Sequence, residues 1–247
     1  MSLYETSVWH SDRVGREVRL SRWGHFGVPV LVFPTAGGDA EEIQRWQMIR
    51  ALRPLLAAGK VKVYSCDSVA GQAWFAEEGD LGHRMWLMNQ FHQYVRHEVV
   101  PAIYADCRTD GLPIWTAGAS IGALHAVAMV CRFPDVFHRA LGMSGTYDIL
   151  RFAGVDRYTH DYFVSVPLRF LPELGEDDPR LALLRQRFVL LASGEGRAEA
   201  VQESWNMARI LGDRKVPNWV DSWGPSWHHD WETWREMLPK YLGEWAS

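Results

Sequence analysis

Short apolar runs alternate along this chain with longer stretches in which apolar residues recur every three or four positions. Arg16 to Trp23 and Val28 to Phe33 (VPVLVF) read as strands, and the second is apolar throughout, as a strand covered on both faces of a parallel sheet should be. PTAGGD then turns the chain. Asp39 is set to cap a helix running through Glu41, Ile43, Trp46, Ile49 and Leu52 to about Ala58, where Gly59 stops it. Lys60 to Ser65 is the next strand. From about Asp80 to Asp106 the spacing of Met85, Met88, Phe91, Val95, Val99 and Ile103 predicts one long helix, with Pro101 as a candidate kink.

The strand LPIWTAG, a turn around Ser120 and the small-residue apolar helix IGALHAVAMVCRF follow, then a short strand from Ala140 to Met143 and the segment SGTYD. The stretch from about 150 to 183 is less regular, rich in aromatics and contains three prolines, which suits a cap-like insertion over a sheet edge or a pocket. Arg187 to Ala192 (RFVLLA) is a strand, Glu199 to Leu211 a helix, Val216 to Ser222 a last strand and Asp230 to Trp245 a closing helix. Strand and helix in this alternation predict an α/β fold, a three-layer sandwich whose mostly parallel central sheet carries helices on both faces.

Composition narrows the class. With 247 residues, 47% of them apolar, 12 prolines and 21 glycines, the chain can bury a large core, and disorder or a collagen-like repeat is excluded. No Ser/Gly/Pro-rich linker divides it, so one domain over 1–247 is expected. Twenty-six Lys and Arg against 30 Asp and Glu leave a net charge of −4, with no footprint for nucleic acid or an anionic membrane. The opening MSLYETSVWHSDRVGREV carries charges where a signal peptide needs an apolar core, and no run approaches the ~20 apolar residues of a membrane span. A cytoplasmic location is the expectation. Cys66, Cys107 and Cys131 are odd in number and widely spaced, which fits buried free thiols rather than a disulfide framework.

Gly118-Ala119-Ser120-Ile121-Gly122 is a G-x-S-x-G sequence between an apolar strand and an apolar helix, the context of a nucleophile elbow. Such a turn strains the serine backbone so that its hydroxyl stands above the sheet, and a Cβ on either glycine would collide with the neighbouring strand or helix. A serine hydroxyl is a poor nucleophile at neutral pH and needs a base from elsewhere in the chain. His229, in SWHHDWETW between the last strand and the closing helix, is the candidate, with His228 its competitor. The base needs an acid to orient it, and the loop SGEGRAEAV after RFVLLA offers Glu199 and Glu195, of which Glu199 is narrowly favoured. Two N–H donors must meet the oxyanion of a tetrahedral intermediate. Ile121, the residue after the serine, supplies one, and Ala36 in PTAGGD is the candidate for the second, flanked by Thr35 and Gly37.

Four segments together resemble the putative-esterase family of the α/β-hydrolases, the group of esterase D-like and enterochelin esterase-like proteins: FPTAGGD, GASIGA, MSGTYDI and HDWETW, in that order and spacing. The resemblance implies a serine esterase with a small-molecule ester substrate, and it supports His229 over His228 because His229 is the histidine of the His-Asp-Trp segment. Two departures stand out. The oxyanion turn has Pro-Thr where many relatives have His-Gly, and the acid loop carries Glu rather than the commoner Asp.

The expected chemistry is therefore hydrolysis of a carboxylic ester through an acyl-enzyme on Ser120, with a Ser-His-Glu triad, a backbone oxyanion hole, no cofactor and no metal. An acyltransferase using the same acyl-enzyme and a non-catalytic binding protein on this scaffold are the alternatives. A homo-oligomer is left open. Thirteen tryptophans, six of them around His229, read mainly as packing and secondarily as an aromatic pocket. His97-Glu98 begins like a zinc-protease motif but lacks its second histidine, and no phosphate-binding glycine loop is present.

Overall fold

Strands β1 (Tyr4–Ser11), β2 (Arg16–Trp23), β3 (Val28–Phe33), β4 (Val61–Cys66), β5 (Ile114–Ala119), β6 (Phe137–Met143), β7 (Phe188–Ser193) and β8 (Asn218–Ser222) form one eight-stranded sheet in the order β1-β2-β4-β3-β5-β6-β7-β8. β1 and β2 pair antiparallel, as do β2 and β4; from β4 to β8 every pairing is parallel. This α/β architecture is a computed structural model that describes residues 4–247; Met1 to Leu3, the opening of the domain expected over 1–247, lie outside the described residues.

The pleat divides the core into two layers. Along β3, Leu31 and Phe33 face one layer while Val30 and Val32 face the other, so alternate side chains of one apolar run are buried on opposite faces. Burying a side chain such as Phe33 contributes roughly 2 kcal/mol. The elbow helix (Ile121–Arg132) lies in the first layer with the helix Leu81–Tyr94; the closing helix (Trp231–Trp245) packs Trp234, Met237, Leu238, Tyr241 and Leu242 into the second.

The parallel strands all deliver their C-terminal ends to one edge, and the turns after β3, β5, β6, β7 and β8 meet there.

Several elements differ from the sequence expectation. The helix expected from Asp39 to Ala58 is three short ones, Glu42–Arg45, Met48–Ala51 and Arg53–Ala57; Gln47, with a left-handed φ of 64°, interrupts the ladder between the first two, and Pro54, which has no amide to give, opens the third after the break at Leu52. Asp39 does not cap it; its carboxylate accepts the Glu41 amide two residues on, an Asx-type turn. The long helix begins where expected, capped by Asp80, but is Leu81–Tyr94, a π-turn over Val95–Val99 and Val100–Cys107. Pro101 has no amide to give to the preceding turn, and the widened turn accommodates that loss. β1 and the helix Val69–Phe75 were not anticipated: YETSVWHS is an edge strand with mostly exposed or half-buried positions, so it lacks an apolar run. The helix after β7 begins at Val201, leaving Glu199 in the turn before it.

The region 150–183 is a set of short helices, Leu150–Ala153, His160–Ser165, Pro167–Phe170, a 3-10 turn Leu171–Glu173 and Pro179–Leu184. Tyr162, Val166, Phe170, Leu171 and Leu184 bury into the layer of the elbow helix, so the region extends that layer rather than covering Ser120.

Candidate active site

Ser120 sits between the last residue of β5 and the first of the elbow helix with φ 57° and ψ −123°, a conformation costly for a residue with a side chain. Neighbouring backbone over-determines it. Its amide donates to the Met143 carbonyl at 3.0 Å, and its carbonyl accepts from Ala123 at 3.1 Å and Thr146 at 3.2 Å. A Cβ on Gly118 would stand 2.2 Å from the Gly122 carbonyl oxygen, and one on Gly122 would stand 2.6 Å from that of Phe33. The tight bend therefore requires that both positions lack side chains.

His229 and Ser120 line the same cavity, of about 580 Å³, together with Thr35, Ala36, Gly37 and the aromatic residues Trp46, Phe75, Trp231 and Trp234. The histidine loop is joined to the acid loop by backbone bonds: the His229 amide donates to the Arg197 carbonyl at 3.1 Å and the Gly196 amide to the Trp227 carbonyl at 2.9 Å. His228 points the other way. Its Nδ1 accepts from the Arg197 amide at 3.0 Å, and it packs so closely on Gly196 that a Cβ there would lie 2.1 Å from that nitrogen. Asp230 begins the closing helix by accepting the Thr233 amide at 3.0 Å.

Of the two candidate acids, Glu199 is the one beside His229. Its Oε2 is 3.9 Å from His229 Nδ1, an ion-pair separation, and its side chain is only 1% exposed. It accepts from Ser144 Oγ at 2.6 Å and from Ser193 Oγ at 3.0 Å. Burial raises its carboxyl pKa, but the interactions with His229, Ser144 and Ser193 outweigh that and hold it below the usual range. Glu195 lies on the exposed side of the loop and accepts from Ser222 Oγ at 2.5 Å.

The turn after β3 is held by a buried carboxylate. Glu42 accepts both the Thr35 amide, at 2.8 Å, and the Thr35 hydroxyl, at 2.6 Å; burial raises its pKa despite these bonds. With the Thr35 N–H so engaged, Ala36 and Gly37 carry the amides left at this turn beside Ser120. Asp67 and Gln72 tie the rest down, through the Ala40 amide at 2.9 Å and the Gly38 carbonyl at 2.8 Å. The Ile121 amide opens the elbow helix and so has no acceptor within it.

Ser144, Ser193 and Glu42 were not singled out from sequence, and Trp234, one of the six tryptophans around His229, was read there mainly as packing. Ser144 lies within MSGTYDI, which did stand out, but its role depends on which side chains surround it. Glu98 anchors β1, accepting from Trp9 Nε1 and Ser11 Oγ, both at 2.9 Å. Among the described residues no three His, Cys, Asp or Glu side chains gather as a metal site, and no helix is long and apolar enough to cross a membrane. Cys66 and Cys131 are buried free thiols and Cys107 is half-buried.

Comparison with known proteins places the chain in a family and a fold. A family model described as Putative esterase matches residues 58–244. A ferulic acid esterase superposes with a TM-score of 0.74 at 16% identity, covering 97% of this chain and 96% of its own. S-formylglutathione hydrolase from Staphylococcus aureus gives 0.68 at 15%, covering 99% and 96%. The enterobactin esterase of Shigella flexneri gives 0.71 at 17%, covering 98% of this chain and 59% of that one. At these identities the structural matches establish the α/β-hydrolase fold. No curated protein matches the sequence.

Proposed function

From the premise that this chain belongs to the putative-esterase family and is a serine esterase, we propose that it cleaves a carboxylic ester through an acyl-enzyme on Ser120, with His229 as general base and Glu199 as its orienting acid. His229 Nδ1 faces Glu199, which leaves Nε2 for the serine proton. Ser120 Oγ attacks the ester carbonyl as that proton moves to His229, and the Ala36 and Ile121 amides receive the oxyanion. The imidazolium returns the proton to the departing alcohol; water, deprotonated by the same histidine, then releases the acid and restores Ser120. The cycle consumes one water and needs no cofactor.

One observation carries the reading: a serine held at φ 57° lines the same cavity as a histidine whose Nδ1 stands 3.9 Å from a buried carboxylate. That separation is longer than a hydrogen bond. It shortens as His229 gains charge in the reaction, since catalytic contacts in a resting site tighten in the transition state. The cavity volume of about 580 Å³ suits a small-molecule ester. The Trp46 and Trp231 rings, stacked 5.8 Å apart at 5°, give it an apolar wall.

The test is labelling with a fluorophosphonate followed by peptide mapping, alongside hydrolysis of a p-nitrophenyl acyl series. The expected adduct is on Ser120, with turnover abolished in Ser120→Ala. A folded protein that neither labels nor hydrolyses any member of the series rejects the proposal; ester formation with an added alcohol in preference to hydrolysis would redirect it to acyl transfer.

A further inference from the structure

The region 150–183 turns away from Ser120 and builds a second cavity of about 500 Å³ against the far end of the elbow helix. Phe163, Phe170 and His160 from that region face Arg132, the last residue of the elbow helix, and Asn89 on the helix Leu81–Tyr94. The elbow helix is 12 residues long, so Arg132 stands about 18 Å along its axis from Ser120, and the two cavities share no lining residue.

Arg132 is a largely buried cation that no carboxylate contacts among the described residues; Asp161 is separated from it by Asn89, whose amide donates to Asp161 at 2.7 Å. Burial and the charge of Arg180 lower its pKa to about 10, with Asp161 acting in the opposite direction. Among the described residues it forms no ion pair. Its hydrogen bonds all go to neutral acceptors: His92 Nδ1 at 2.9 Å, Asn89 Oδ1 at 2.7 Å and Ser165 Oγ at 3.4 Å. These use Nη1 and Nη2, and Nε donates to none of them. His92 cannot compensate, because a ring nitrogen that accepts from a guanidinium belongs to a neutral imidazole. The carboxylates on the lining do not compensate either. Asp178 is engaged by the Arg180 guanidinium at 2.6 Å and by the Arg180 amide at 2.9 Å, and Glu173 is exposed. The helix C-terminus and the Phe133 ring, 5.3 Å from the guanidinium, offset part of the cost of burying this charge. A carboxylate meeting the planar fork would offset more.

We propose that this cavity is a binding site for an organic carboxylate whose anion pairs with Arg132 and whose apolar body lies on Phe163 and Phe170. It is separate from the ester-cleaving site and does not depend on that assignment.

Phenylacetate, with phenylacetamide as its uncharged counterpart, titrated calorimetrically into Ser120→Ala protein tests the site without turnover. Saturable phenylacetate binding is expected, weakened about tenfold or more by Arg132→Gln and by replacing the ligand with phenylacetamide. Because Arg132 contacts a buried histidine, Phe163→Ala serves as a second probe that leaves the cation in place, with an expected loss of about threefold or more. No binding up to about 10 mM, equal binding of the amide, or undiminished binding to a folded Arg132→Gln protein overturns the proposal. Hydrolysis of p-nitrophenyl acetate by Arg132→Gln protein in the Ser120 background reads the catalytic site separately, so failure of one assignment does not disguise failure of the other.

Discussion

The indole of Trp234 stands edge-on to the imidazole of His229, with ring centroids 5.1 Å apart and planes at 82°, while its N–H donates to Ser144 Oγ at 2.9 Å. Ser144 in turn donates to Glu199. One tryptophan therefore packs on the candidate base and, through a single hydroxyl, helps to fix the candidate acid. Ser144 holds this position with a left-handed φ of 46°, a second strained residue beside Ser120.

Breaking that chain should slow the chemistry more than it weakens binding. Trp234→Phe keeps a ring against His229 but removes the N–H, and Ser144→Ala removes one donor to Glu199. Each should lower kcat by about tenfold to a hundredfold with KM changed less than about threefold. Steady-state kinetics on one p-nitrophenyl ester measures both, and a change confined to KM would show that the chain serves binding instead.

The two glutamates of the acid loop should behave oppositely. Glu199→Gln removes the negative charge beside His229 and should reduce kcat by a factor of about a hundred to ten thousand, whereas Glu195→Gln, on the exposed side of the loop, should remain within about twofold of wild type. Equal losses, or the larger loss at Glu195, would reverse the assignment.

Strain at the elbow predicts an exchange of stability against activity. Ser120→Gly relieves the positive φ and should stabilise the fold by about 1 kcal/mol relative to Ser120→Ala, both being inactive. Gly122→Ala drives a Cβ into the Phe33 and Pro34 carbonyls and should cost several kcal/mol. Urea denaturation midpoints order the three variants, and a Ser120→Gly protein no more stable than Ser120→Ala would mean the bend is unstrained.

Stability should also fall in mild acid because of a buried histidine pair. His92 Nε2 donates to His125 Nδ1 at 2.9 Å, both rings are fully buried, and His125 Nε2 has no partner. Burial pushes His125 down to about 3 from its ordinary 6.5, and burial with the Arg132 charge pushes His92 well below the same value. Below about 6.5 the unfolded chain takes up protons that the folded rings refuse, so the stability these groups contribute is full above that pH and is lost as pH falls toward about 3. Each ring adds up to about 1.4 kcal/mol per pH unit. His125→Leu should flatten the dependence of unfolding free energy on pH between about 6 and 4; an unchanged slope would assign the acid sensitivity to other groups.

What sequence alone determined is what neighbours along the chain dictate. The strand before Ser120 and the helix after it follow from apolar patterning, and Gly118 belongs to a bend whose requirement is local, since a Cβ there would meet Gly122, whereas Gly122 is itself pressed by the Phe33 and Pro34 carbonyls of a distant segment. Helices opening near Asp80 and Asp230 were legible too, and in the fold each of these carboxylates reaches an amide three residues on, whereas the cap expected at Asp39 did not form. The choice between Glu199 and Glu195 was nearly even in sequence, because both sit in one short loop. Only the folded chain separates them, by zipping Arg197 to His229 and gathering Ser144, Ser193 and Trp234 from three other segments around one carboxylate. The break at Gln47, the edge strand β1 and the turning of region 150–183 away from Ser120 were equally hidden. Periodicity records which face of an element is apolar, whereas the partner that meets that face, or satisfies a buried charge, is supplied by residues distant in sequence and is decided when the layers pack.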